Sequence, residues 1–488
     1  MSGDRRGGTR PGGRPGPGQR HRPAPRRPVD PARRAAYDAL RSVHAGGAYA
    51  NLALGDILDR RRLDDRDAAL ATELVAGTSR LQGTYDAILA AAAGRPLSSL
   101  QPAVVDVLRI GAHQVLSMRI PTRAAVDSAV DLAGTAIGER VTGLVNAVLR
   151  KVAARDLDGW LDELSAGTTG VARLAVRTHH PLWIARTYAD LLGDGALAAL
   201  DADNVAPRPT LVVRPGLADR DELVAAGAVA TRWSPYGAVL DGNPADLAAV
   251  REGRAGVQDE GSQLVALALS RVDAPAGPWL DMCAGPGGKA ALLTGLARDR
   301  GEDVLAAEVA EHRAGLVTRA LRAYRPCPGV ICADGTRPAW PAGVFARVML
   351  DAPCTGLGAL RRRPESRWRH QPEDVDDLVP LQAQLLVSAI RSTLPGGVVA
   401  YVTCSPHPSE TEDLVRTVVE ELDGQGDAEG PDSRAIRGIR VEVLDAPSYL
   451  PEVPDCARPD PWGGQRFVQL WPHRHGTDAM FLALLRVG

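Results

Sequence analysis

Several features that define other classes of protein are missing from this chain of 488 residues. Its six cysteines form no C-x-x-C pair, which argues against a disulfide framework and against a zinc ribbon. No uninterrupted apolar run is long enough to cross a bilayer, so we expect no membrane contact. Free thiols are typical of a reducing compartment. The sequence therefore predicts a cytoplasmic protein without a structural metal.

Lysine is almost absent. Of the 57 lysine and arginine residues, only Lys151 and Lys289 are lysine. Arginine is thus the usual cation of this chain, and Lys289 directly follows two glycines. A compact ammonium group behaves differently from a planar guanidinium, so the position draws attention to this turn. The alternative is chance, because a chain with two lysines must place them somewhere.

The first thirty residues lack large apolar side chains, apart from Met1 and Val29. Such a segment cannot bury enough surface to offset the entropy lost on ordering, so we expect a disordered arm over 1–30. Eight arginines against two aspartates give it a net charge of +6. This charge favours attraction to RNA phosphates, and a solvated tail without a function is the alternative. The arm also lacks the apolar core of a signal peptide.

Three regions that differ in their pattern of apolar residues follow the arm. Apolar residues recur at three- and four-residue spacing over 31–155, which predicts an all-α bundle. Residues 156–256 change from helices to short strands and turns, which predicts a helical linker and a small α+β module. Over 257–488 strands and helices alternate, as in a doubly wound α/β sheet. In this last region we expect strands at 278–283, 303–308, 328–332, 346–351 and 397–403, a helix at 376–394, a surface insertion at 423–438 and a final hairpin at 466–487.

The run WLDMCAGPGGK at 279–289 reads as a strand that breaks into a glycine-rich turn. Gly285, Gly287 and Gly288 let the backbone approach a ligand closely, and the next helix would point its N-terminus at an anionic group. The turn matches neither the phosphate-loop pattern nor G-x-G-x-x-G. A ligand that carries a carboxylate remains, with Lys289 as its counter-charge.

Acidic residues follow the next two predicted strands. Glu308 ends one strand at a position suited to ribose hydroxyls, and Asp334 follows the other, where an adenine edge would lie. A ribose, a base and a carboxylate together describe S-adenosylmethionine, which is the cofactor that the sequence predicts. A solvated Glu308 and a turn-capping Asp334 are the alternatives.

Two cysteines each follow an apolar strand: Cys354 in the run DAPC and Cys404 in the run YVTCS. Loops at the carboxyl ends of strands form the ligand crevice of an open α/β sheet, so both thiols are expected near the cofactor turn. This combination suits methylation of cytosine C5, in which a thiolate adds to C6, C5 takes the methyl group and a base removes the C5 proton. Asp351 is available as the acid near N3. The spacing alone leaves open which thiol attacks.

The other cysteines are interpreted as packing residues, since a free cysteine is more often a small buried residue than a nucleophile. Cys283 lies in the cofactor turn and Cys332 lies in a predicted strand. Cys327 and Cys456 are expected to be buried.

An arginine-rich segment at 361–369 follows Cys354 closely. Its guanidinium groups could hold RNA phosphates and its tryptophan could stack on a base, with a solvated loop as the alternative. The residues expected to contact RNA are Arg361, Arg362, Arg363, Arg367 and Trp368.

Short motifs in a fixed order resemble two known families. Between 31 and 155, the pieces DDRD, ELVAG, LRIG, IPTR and LVNAVLR resemble the NusB-type antitermination domain, which implies a helical RNA-binding bundle. From 257 onward, the pieces VQDEGSQ, DMCAGPGGK, DAPCTGLG, RPE, YVTCS and PHRHGTD resemble the bacterial Sun/Fmu-type RNA cytosine-5 methyltransferases that act on the small ribosomal subunit. Together the two resemblances cover nearly everything from 31 onward.

This resemblance implies a NusB-like bundle, a small α+β module and a Rossmann-like methyltransferase sheet. It implies methylation of cytosine C5 in 16S ribosomal RNA, with Cys404 as the nucleophile and Cys354 assisting product release. We expect a monomer that binds ribosomal RNA. The family often has Asn after the glutamate that corresponds to Glu410, whereas this chain has Thr411. The implied cofactor contacts are Cys283, Ala284, Gly285, Pro286, Gly287, Gly288, Lys289, Glu308, Asp334 and Asp351.

Other functions remain to be distinguished. The same chemistry could act on another RNA, such as transfer RNA. The helical bundle by itself would suit a non-catalytic RNA-binding assembly factor, but Cys354 and Cys404 argue against that. A protein methyltransferase would not need two thiols.

Overall fold

The computed structural model describes residues 30–46, 49–424 and 439–488. Apart from Asp30, the basic arm predicted at 1–30 lies outside the described residues. Most of the surface insertion predicted at 423–438 lies outside them too. No helix in the described ranges is both long enough and apolar enough to cross a membrane.

The first described part of the chain is entirely helical. Asp64 starts one of its helices by accepting a hydrogen bond from the backbone N–H of Asp67 at 2.8 Å, and Pro102 occupies the first turn of another, where its missing N–H has no helical partner to lose. The helices are α1 (Pro31–Gly46), α2 (Ala50–Arg61), α3 (Asp65–Arg80), α4 (Gln82–Ala93), α5 (Pro102–Leu116), α6 (Thr122–Ala136), α7 (Thr142–Val152), α8 (Leu157–Leu164), α9 (Gly170–Arg177), α10 (Leu182–Leu192) and α11 (Ala196–Asp203).

The apolar faces of α1 to α7 close around one core, in which Leu40, Leu74, Ile88 and Leu108 are fully buried. A second core joins α9 to α11 with Leu357 from the later part of the chain. The all-α bundle predicted from the spacing of apolar residues is confirmed.

A small module follows the helices. Its four strands form an antiparallel sheet in the order β2-β3-β1-β4, and they close a small core around Leu211 and Leu223. Its elements are β1 (Thr210–Val213), α12 (Arg220–Ala225), β2 (Val229–Ala230), β3 (Gly237–Val239), α13 (Ala248–Arg251) and β4 (Ala255–Val257).

The rest of the chain builds a mixed sheet flanked by helices. Its elements are α14 (Glu260–Arg271), β5 (Trp279–Asp281), α15 (Gly288–Arg298), β6 (Val304–Glu308), α16 (Glu311–Leu321), β7 (Gly329–Cys332), β8 (Phe345–Asp351), α17 (Ser366–Arg369), α18 (Glu373–Ser392), β9 (Thr393–Thr403), α19 (Glu412–Leu422), β10 (Val441–Val443), β11 (Ala457–Arg458), β12 (Phe467–Gln469), α20 (Pro472–His475) and β13 (Phe481–Val487). Short 3-10 helices lie at Leu97–Ser99, Glu139–Val141, Gly193–Gly195, Pro244–Asp246, Leu357–Ala359, Pro408–Glu410 and Ala446–Tyr449.

The strands run in the order β11-β12-β13-β9-β8-β5-β6-β7. Strands β5 to β9 are parallel to one another, and β12 and β13 form the predicted final hairpin, which extends the same sheet antiparallel to β9. The α/β sheet predicted from alternating strands and helices is confirmed. Because β5 lies between β6 and β8, the strand order reverses there, and the crevice outside the carboxyl ends of these strands is the place where such sheets bind ligands.

Candidate active site

The two predicted thiols meet at the carboxyl ends of β8 and β9. Asp351 and Val402 are register partners on these parallel strands, so the loops after them leave the same edge of the sheet. The Sγ atoms of Cys354 and Cys404 lie 3.5 Å apart. The N–H of Gly358 donates to the carbonyl oxygen of Cys404 at 2.8 Å, which holds the two loops together.

The two thiols differ in acidity. The hydrogen bond from the Cys354 thiol lowers the pKa of Cys404 below its ordinary value, and the positive charges of Arg363 and Lys289 act in the same direction. The same hydrogen bond, burial and the negative charge of Glu410 raise the pKa of Cys354 well above its ordinary value. A thiolate at Cys404 with the proton kept on Cys354 is therefore the favoured state of the pair.

A buried carboxylate fixes the loop that carries Cys354. Glu410 is completely buried and accepts hydrogen bonds from the backbone N–H and the hydroxyl of Thr355 at 2.8 and 2.5 Å. Gln382 donates to the same carboxylate at 3.0 Å and to the carbonyl of Pro353 at 2.8 Å. Sequence reasoning assigned Glu410 no role. The available signal was an acidic residue six positions after a strand-end cysteine.

Asp351 joins the thiol loops to the cofactor turn. The ammonium group of Lys289, at the start of α15, donates to Asp351 Oδ2 at 2.8 Å and to Ser262 Oγ at 3.1 Å. The sequence suggested Lys289 as the counter-charge of a ligand carboxylate, but in the structure its ion-pair partner is Asp351. The physical reason is proximity, because β5 and β8 are adjacent strands that end at the same edge.

The glycine turn lies against Glu308 at the end of β6. The N–H of Gly285 donates to Glu308 Oε2 at 3.0 Å, and the N–H of Ala310 donates to Oε1 at 3.1 Å. Arg313 donates to the carbonyl of Gly285 at 2.7 Å. A Cβ atom on Gly285 would lie only 2.3 Å from Glu308 Oε2, so the present position of this carboxylate depends on the missing side chain of glycine. The turn and Glu308 are therefore brought together, as the sequence predicts.

Asp281 ends β5 and is fully buried beside the same turn. Neither of its carboxylate oxygens has a hydrogen-bond partner among the described residues. Burial, with a smaller contribution from the charge of Asp351, raises the pKa of Asp281 to about 8. Burial likewise raises the pKa of the Cys283 thiol, which makes it a poor nucleophile. The sequence analysis gave Asp281 no individual role, although this residue begins the DMCAGPGGK motif.

Asp334, Cys327 and Cys332 differ from, or only partly match, the expectations. Asp334 Oδ1 accepts from the N–H and the hydroxyl of Thr336 at 2.9 and 2.8 Å, which is the turn-capping alternative. Cys456 is buried as expected, whereas Cys327, in the turn between α16 and β7, and Cys332, at the end of β7, are exposed. The interpretation of these two cysteines as buried packing residues is therefore wrong. Within the described ranges, no cluster of residues has the ligands to hold a metal ion.

The first arginines of the 361–369 segment contact carboxylates within the protein. Arg361 donates to Asp478 at 2.8 Å and to Asp259 at 2.8 Å, and Arg362 pairs with the same two residues. Both aspartates belong to motifs that the sequence singled out, so the arginines connect these motifs. The partners of Arg361 and Arg362 are therefore Asp259 and Asp478, and the prediction that these two arginines hold RNA phosphates is corrected.

The later part of the same segment packs on the helical bundle. Arg367 is fully buried and donates to Asn204 Oδ1 at 2.8 Å and to the carbonyl of Arg80 at 3.1 Å. The indole N–H of Trp368 donates to the carbonyl of Ser79 at 2.7 Å. The expectation that Arg367 holds RNA is corrected, because a buried guanidinium cannot reach a phosphate. Of the predicted RNA contacts, Arg363 is exposed.

Comparison with known proteins finds two family models in the chain. The NusB family model matches residues 30–154, and the model of 16S rRNA methyltransferase RsmB/F matches residues 266–486. A Mycobacterium tuberculosis protein named as a methyltransferase is 46% identical and covers 94% of this chain and 97% of its own length. Ribosomal RNA small subunit methyltransferase B of Vibrio vulnificus is 31% identical, over 83% of this chain and 96% of its own length.

The chain belongs to the RsmB/F family of 16S rRNA methyltransferases. Members of this family use S-adenosylmethionine as the methyl donor. Two solved structures share the fold of this RsmB/F chain. The crystal structure named PH0851 has a TM-score of 0.75 at 21% identity and covers 95% of this chain and 100% of its own. A methyltransferase homologue from Pyrococcus horikoshii has a TM-score of 0.51 at 21% identity, over 65% of this chain and 99% of its own.

Proposed function

We propose that this RsmB/F chain methylates carbon 5 of a cytosine in 16S ribosomal RNA, with Cys404 as the nucleophile. The observation that carries the proposal is the 3.5 Å contact between Cys354 and Cys404 at the strand ends beside the cofactor turn. Methyl transfer to a nitrogen or an oxygen atom needs no thiol. An unreactive ring carbon does need one, because addition of sulfur at the neighbouring carbon makes C5 nucleophilic.

The residues around Cys404 account for the first step. The Cys404 thiolate forms a bond to C6 of the cytosine, and the electron pair of the C5–C6 double bond is shared between C5 and N3. We assign to Asp351 the role of the acid that donates a proton to N3. The Lys289 ammonium, 2.8 Å away, stabilises the carboxylate that remains after this proton has moved. The target base must leave its stack to reach this cleft.

The described residues also fit the methyl donor. The orphaned carboxylate of Asp281 lies beside the turn, and a cationic ligand would offset the cost of its burial. Glu308 has the acceptor oxygens that ribose hydroxyls need. The contacts predicted from the 283–289 turn, Glu308, Asp334 and Asp351 remain part of the proposal. When bound, S-adenosylmethionine supplies an electrophilic methyl group to C5.

Cys354 serves the last step. After methylation a base removes the C5 proton, N3 returns its proton to the Asp351 carboxylate, the C5–C6 double bond re-forms, and the electron pair of the C6–S bond returns to Cys404. The Cys354 thiol can donate a hydrogen bond to this departing sulfur, because the two atoms are already in contact. Its raised pKa keeps the thiol protonated and able to donate.

The experiment replaces Cys404 and Cys354 one at a time in the full chain. A denaturing gel then shows whether a covalent adduct between protein and RNA has formed. Cys404→Ser is expected to abolish methylation and to leave no adduct, because no thiolate adds to C6. Cys354→Ala is expected to accumulate the adduct, because elimination slows. Cys327→Ser, at an exposed thiol, is the matched control.

The opposite pattern, with an adduct in Cys404→Ser and none in Cys354→Ala, would reverse the two roles. Mapping 5-methylcytosine in RNA from cells with and without the gene identifies the substrate. If cells without the gene lack a 5-methylcytosine in transfer RNA but keep every 5-methylcytosine in 16S ribosomal RNA, then transfer RNA is the substrate and the proposed substrate is wrong.

A further inference from the structure

A cavity of about 280 Å³ lies where the helical bundle meets the 361–369 segment. This volume is slightly below the range of sites for drug-sized ligands and suits a smaller group such as a nucleobase. The bundle contributes Val43, His44 and Gln82 to its wall, and the segment contributes Glu365, Trp368 and Arg369. Neither the family match nor the proposed chemistry assigns this cavity a role.

Hydrogen bonds hold the polar wall of the cavity in place. The His44 ring lies between Asp106 Oδ1 at 2.7 Å and Gln82 Oε1 at 2.9 Å. Asp106 is buried and also accepts from Arg41 at 2.7 Å. Glu365 accepts from the N–H of Ala50 at 3.2 Å. The donors and acceptors of the wall are therefore already oriented before any ligand binds.

The aromatic wall is equally fixed. The Trp368 N–H is held by the carbonyl of Ser79, and its ring packs against Gly83. A Cβ atom at Gly83 would lie 2.2 Å from the ring, so the indole cannot move toward the bundle. The cavity thus has a rigid aromatic side chain next to polar groups, the combination that proteins use for unstacked bases.

An aromatic residue with two cations lies beside this cavity. Tyr49 is 44% exposed, and the guanidinium carbons of Arg363 and Arg369 lie 5.4 and 5.1 Å from the centre of its ring. We call these three residues the Tyr49 platform. Arg369 also lines the cavity, and Arg363 lies close enough to Cys404 to lower the pKa of its thiol. The platform therefore connects the cavity to the catalytic cleft.

We propose that the cavity and the Tyr49 platform bind an unpaired nucleotide of the substrate RNA next to the methylated cytosine. Single-stranded nucleic acid is commonly held by aromatic side chains that stack on bases and by cations that contact the backbone, and the platform has both. The inference rests on the proposed function, because a cytosine at Cys404 brings the RNA to this side of the molecule.

The first test compares Tyr49→Ala with Tyr49→Phe in the full chain. Loss of the ring is expected to weaken binding of an RNA hairpin with an unpaired target cytosine about tenfold and to raise KM by the same factor, because one stacking contact is lost. The phenylalanine variant keeps the ring and should retain wild-type affinity. Leu197→Ala removes an exposed apolar side chain elsewhere and is the matched control.

The second test uses the same hairpin with 5-bromouridine on either side of the target cytosine. Irradiation is expected to give a cross-link that maps to Tyr49 or Trp368, and free nucleoside monophosphates should not compete with it. Competition by the free nucleotides would indicate a small-molecule site and would overturn the inference.

Failure of this inference can be told apart from failure of the proposed function. If the wild-type chain makes 5-methylcytosine while Tyr49→Ala binds RNA as tightly as wild type, the inference alone is overturned. If the wild-type chain makes no 5-methylcytosine in any RNA, the proposed function is wrong. The affinity and cross-linking results then decide separately whether this surface binds RNA.

Discussion

At the scale of single residues, the chemistry of the site depends on how two cysteines share one proton. Two groups that interact so closely titrate as a pair. The hydrogen bond from Cys354 lowers the pKa of Cys404, with help from Arg363 and Lys289 and against burial and the charge of Asp351. The same hydrogen bond, burial and the charge of Glu410 raise the pKa of Cys354. The thiolate therefore forms on Cys404, the residue that the family resemblance also assigns as the nucleophile.

Replacing Glu410 by glutamine is predicted to disturb both the Cys354 loop and this proton distribution. An amide can no longer accept from both donors of Thr355. The pKa of Cys354, which the hydrogen bond with Cys404 and burial raise most, also loses the smaller contribution of the Glu410 charge. We expect the rate of methylation to fall about tenfold, because the lost contact involves a charged group. We also expect Cys354 to react faster with iodoacetamide near neutral pH, because a lower pKa leaves more of this thiol as thiolate. Single-turnover methylation and mass spectrometry measure the two effects.

Glu421→Gln, at an exposed position on α19, is the control for this substitution. A Glu410→Gln chain with the wild-type rate of methylation would show that the buried carboxylate only stabilises the fold. Thermal unfolding of the same variant separates loss of structure from loss of activity.

At the scale of elements, the connection between β5 and α15 determines how closely a ligand can approach the sheet. The connection places Gly285 against Glu308, and the helix after it begins with Lys289 in its first turn. Parallel pairing of β5 with β6 and β8 brings the residues at all three strand ends together. The element therefore joins cofactor binding to the Asp351 side of the active site.

Gly285→Ala is predicted to weaken the binding of S-adenosylmethionine by about tenfold or more. The new Cβ atom would lie 2.3 Å from Glu308 Oε2 and must push this carboxylate away from its present position. A displaced carboxylate loses its hydrogen bonds to a ligand, each of which contributes about 1.5–3 kcal/mol when one partner is charged. Isothermal titration calorimetry measures the affinity directly.

The matched control is Gly143→Ala on α7, where an added Cβ atom would meet nothing within 4 Å. Equal affinity of the Gly285→Ala and wild-type chains for S-adenosylmethionine would mean that Glu308 does not hold the cofactor. The melting temperature of Gly143→Ala is expected to stay near that of wild type, whereas that of Gly285→Ala is expected to fall, because the displaced Glu308 also loses its hydrogen bonds from Gly285 and Ala310.

At the scale of the whole molecule, the helical regions meet the 357–369 segment, which follows β8, at a buried polar junction. Arg367 links the bundle, through the carbonyl of Arg80, to Asn204 after α11. The Tyr188 hydroxyl lies 2.9 Å from the carbonyl of Leu357 and 3.1 Å from Asp203 Oδ2. Because Leu357 follows Cys354 in the same loop, this junction also supports the active site.

Asp203→Asn is predicted to change how stability depends on pH. Burial raises the pKa of Asp203 to about 7, against the opposing charge of Arg367. Between about pH 4 and pH 7 the folded chain keeps a proton that the unfolded chain has lost, so the stability from this group decreases as pH rises and is constant above that range. The melting temperature of the variant minus that of wild type should therefore be more positive at about pH 7.5 than at about pH 5.5.

Asp158→Asn, at an exposed carboxylate on α8, is the control for this comparison. A difference in melting temperature that is the same at both pH values would show that Asp203 is ionised throughout the range. The domain boundaries at about 155 and 256 stay a prediction, since α9 to α11 share a core with Leu357 and with the later residue Trp471.

Periodicity predicted most of the architecture, because apolar spacing reports directly which face of a helix or strand is buried. Thus Val304–Glu308 and Gly329–Cys332 fall within one residue of the predicted strands. The helix predicted at 376–394 instead spans Glu373–Ser392, and β9 begins at Thr393 and not at the predicted residue 397. At this end of the helix the hydroxyls of Ser392 and Thr393 donate to the carbonyls of Ser388 and Ala389, side-chain contacts that apolar spacing does not report.

By itself the sequence determined the family, the class of cofactor and the two thiols, because short motifs keep the chemistry of a site within a few neighbouring residues. Only the tertiary structure decided which charges meet. It paired Lys289 with Asp351, Arg361 with Asp259 and Asp478, and buried Arg367 between the bundle and the end of α11. These partners are separated by 62 to 287 residues along the chain, and no local pattern records a contact between such distant side chains.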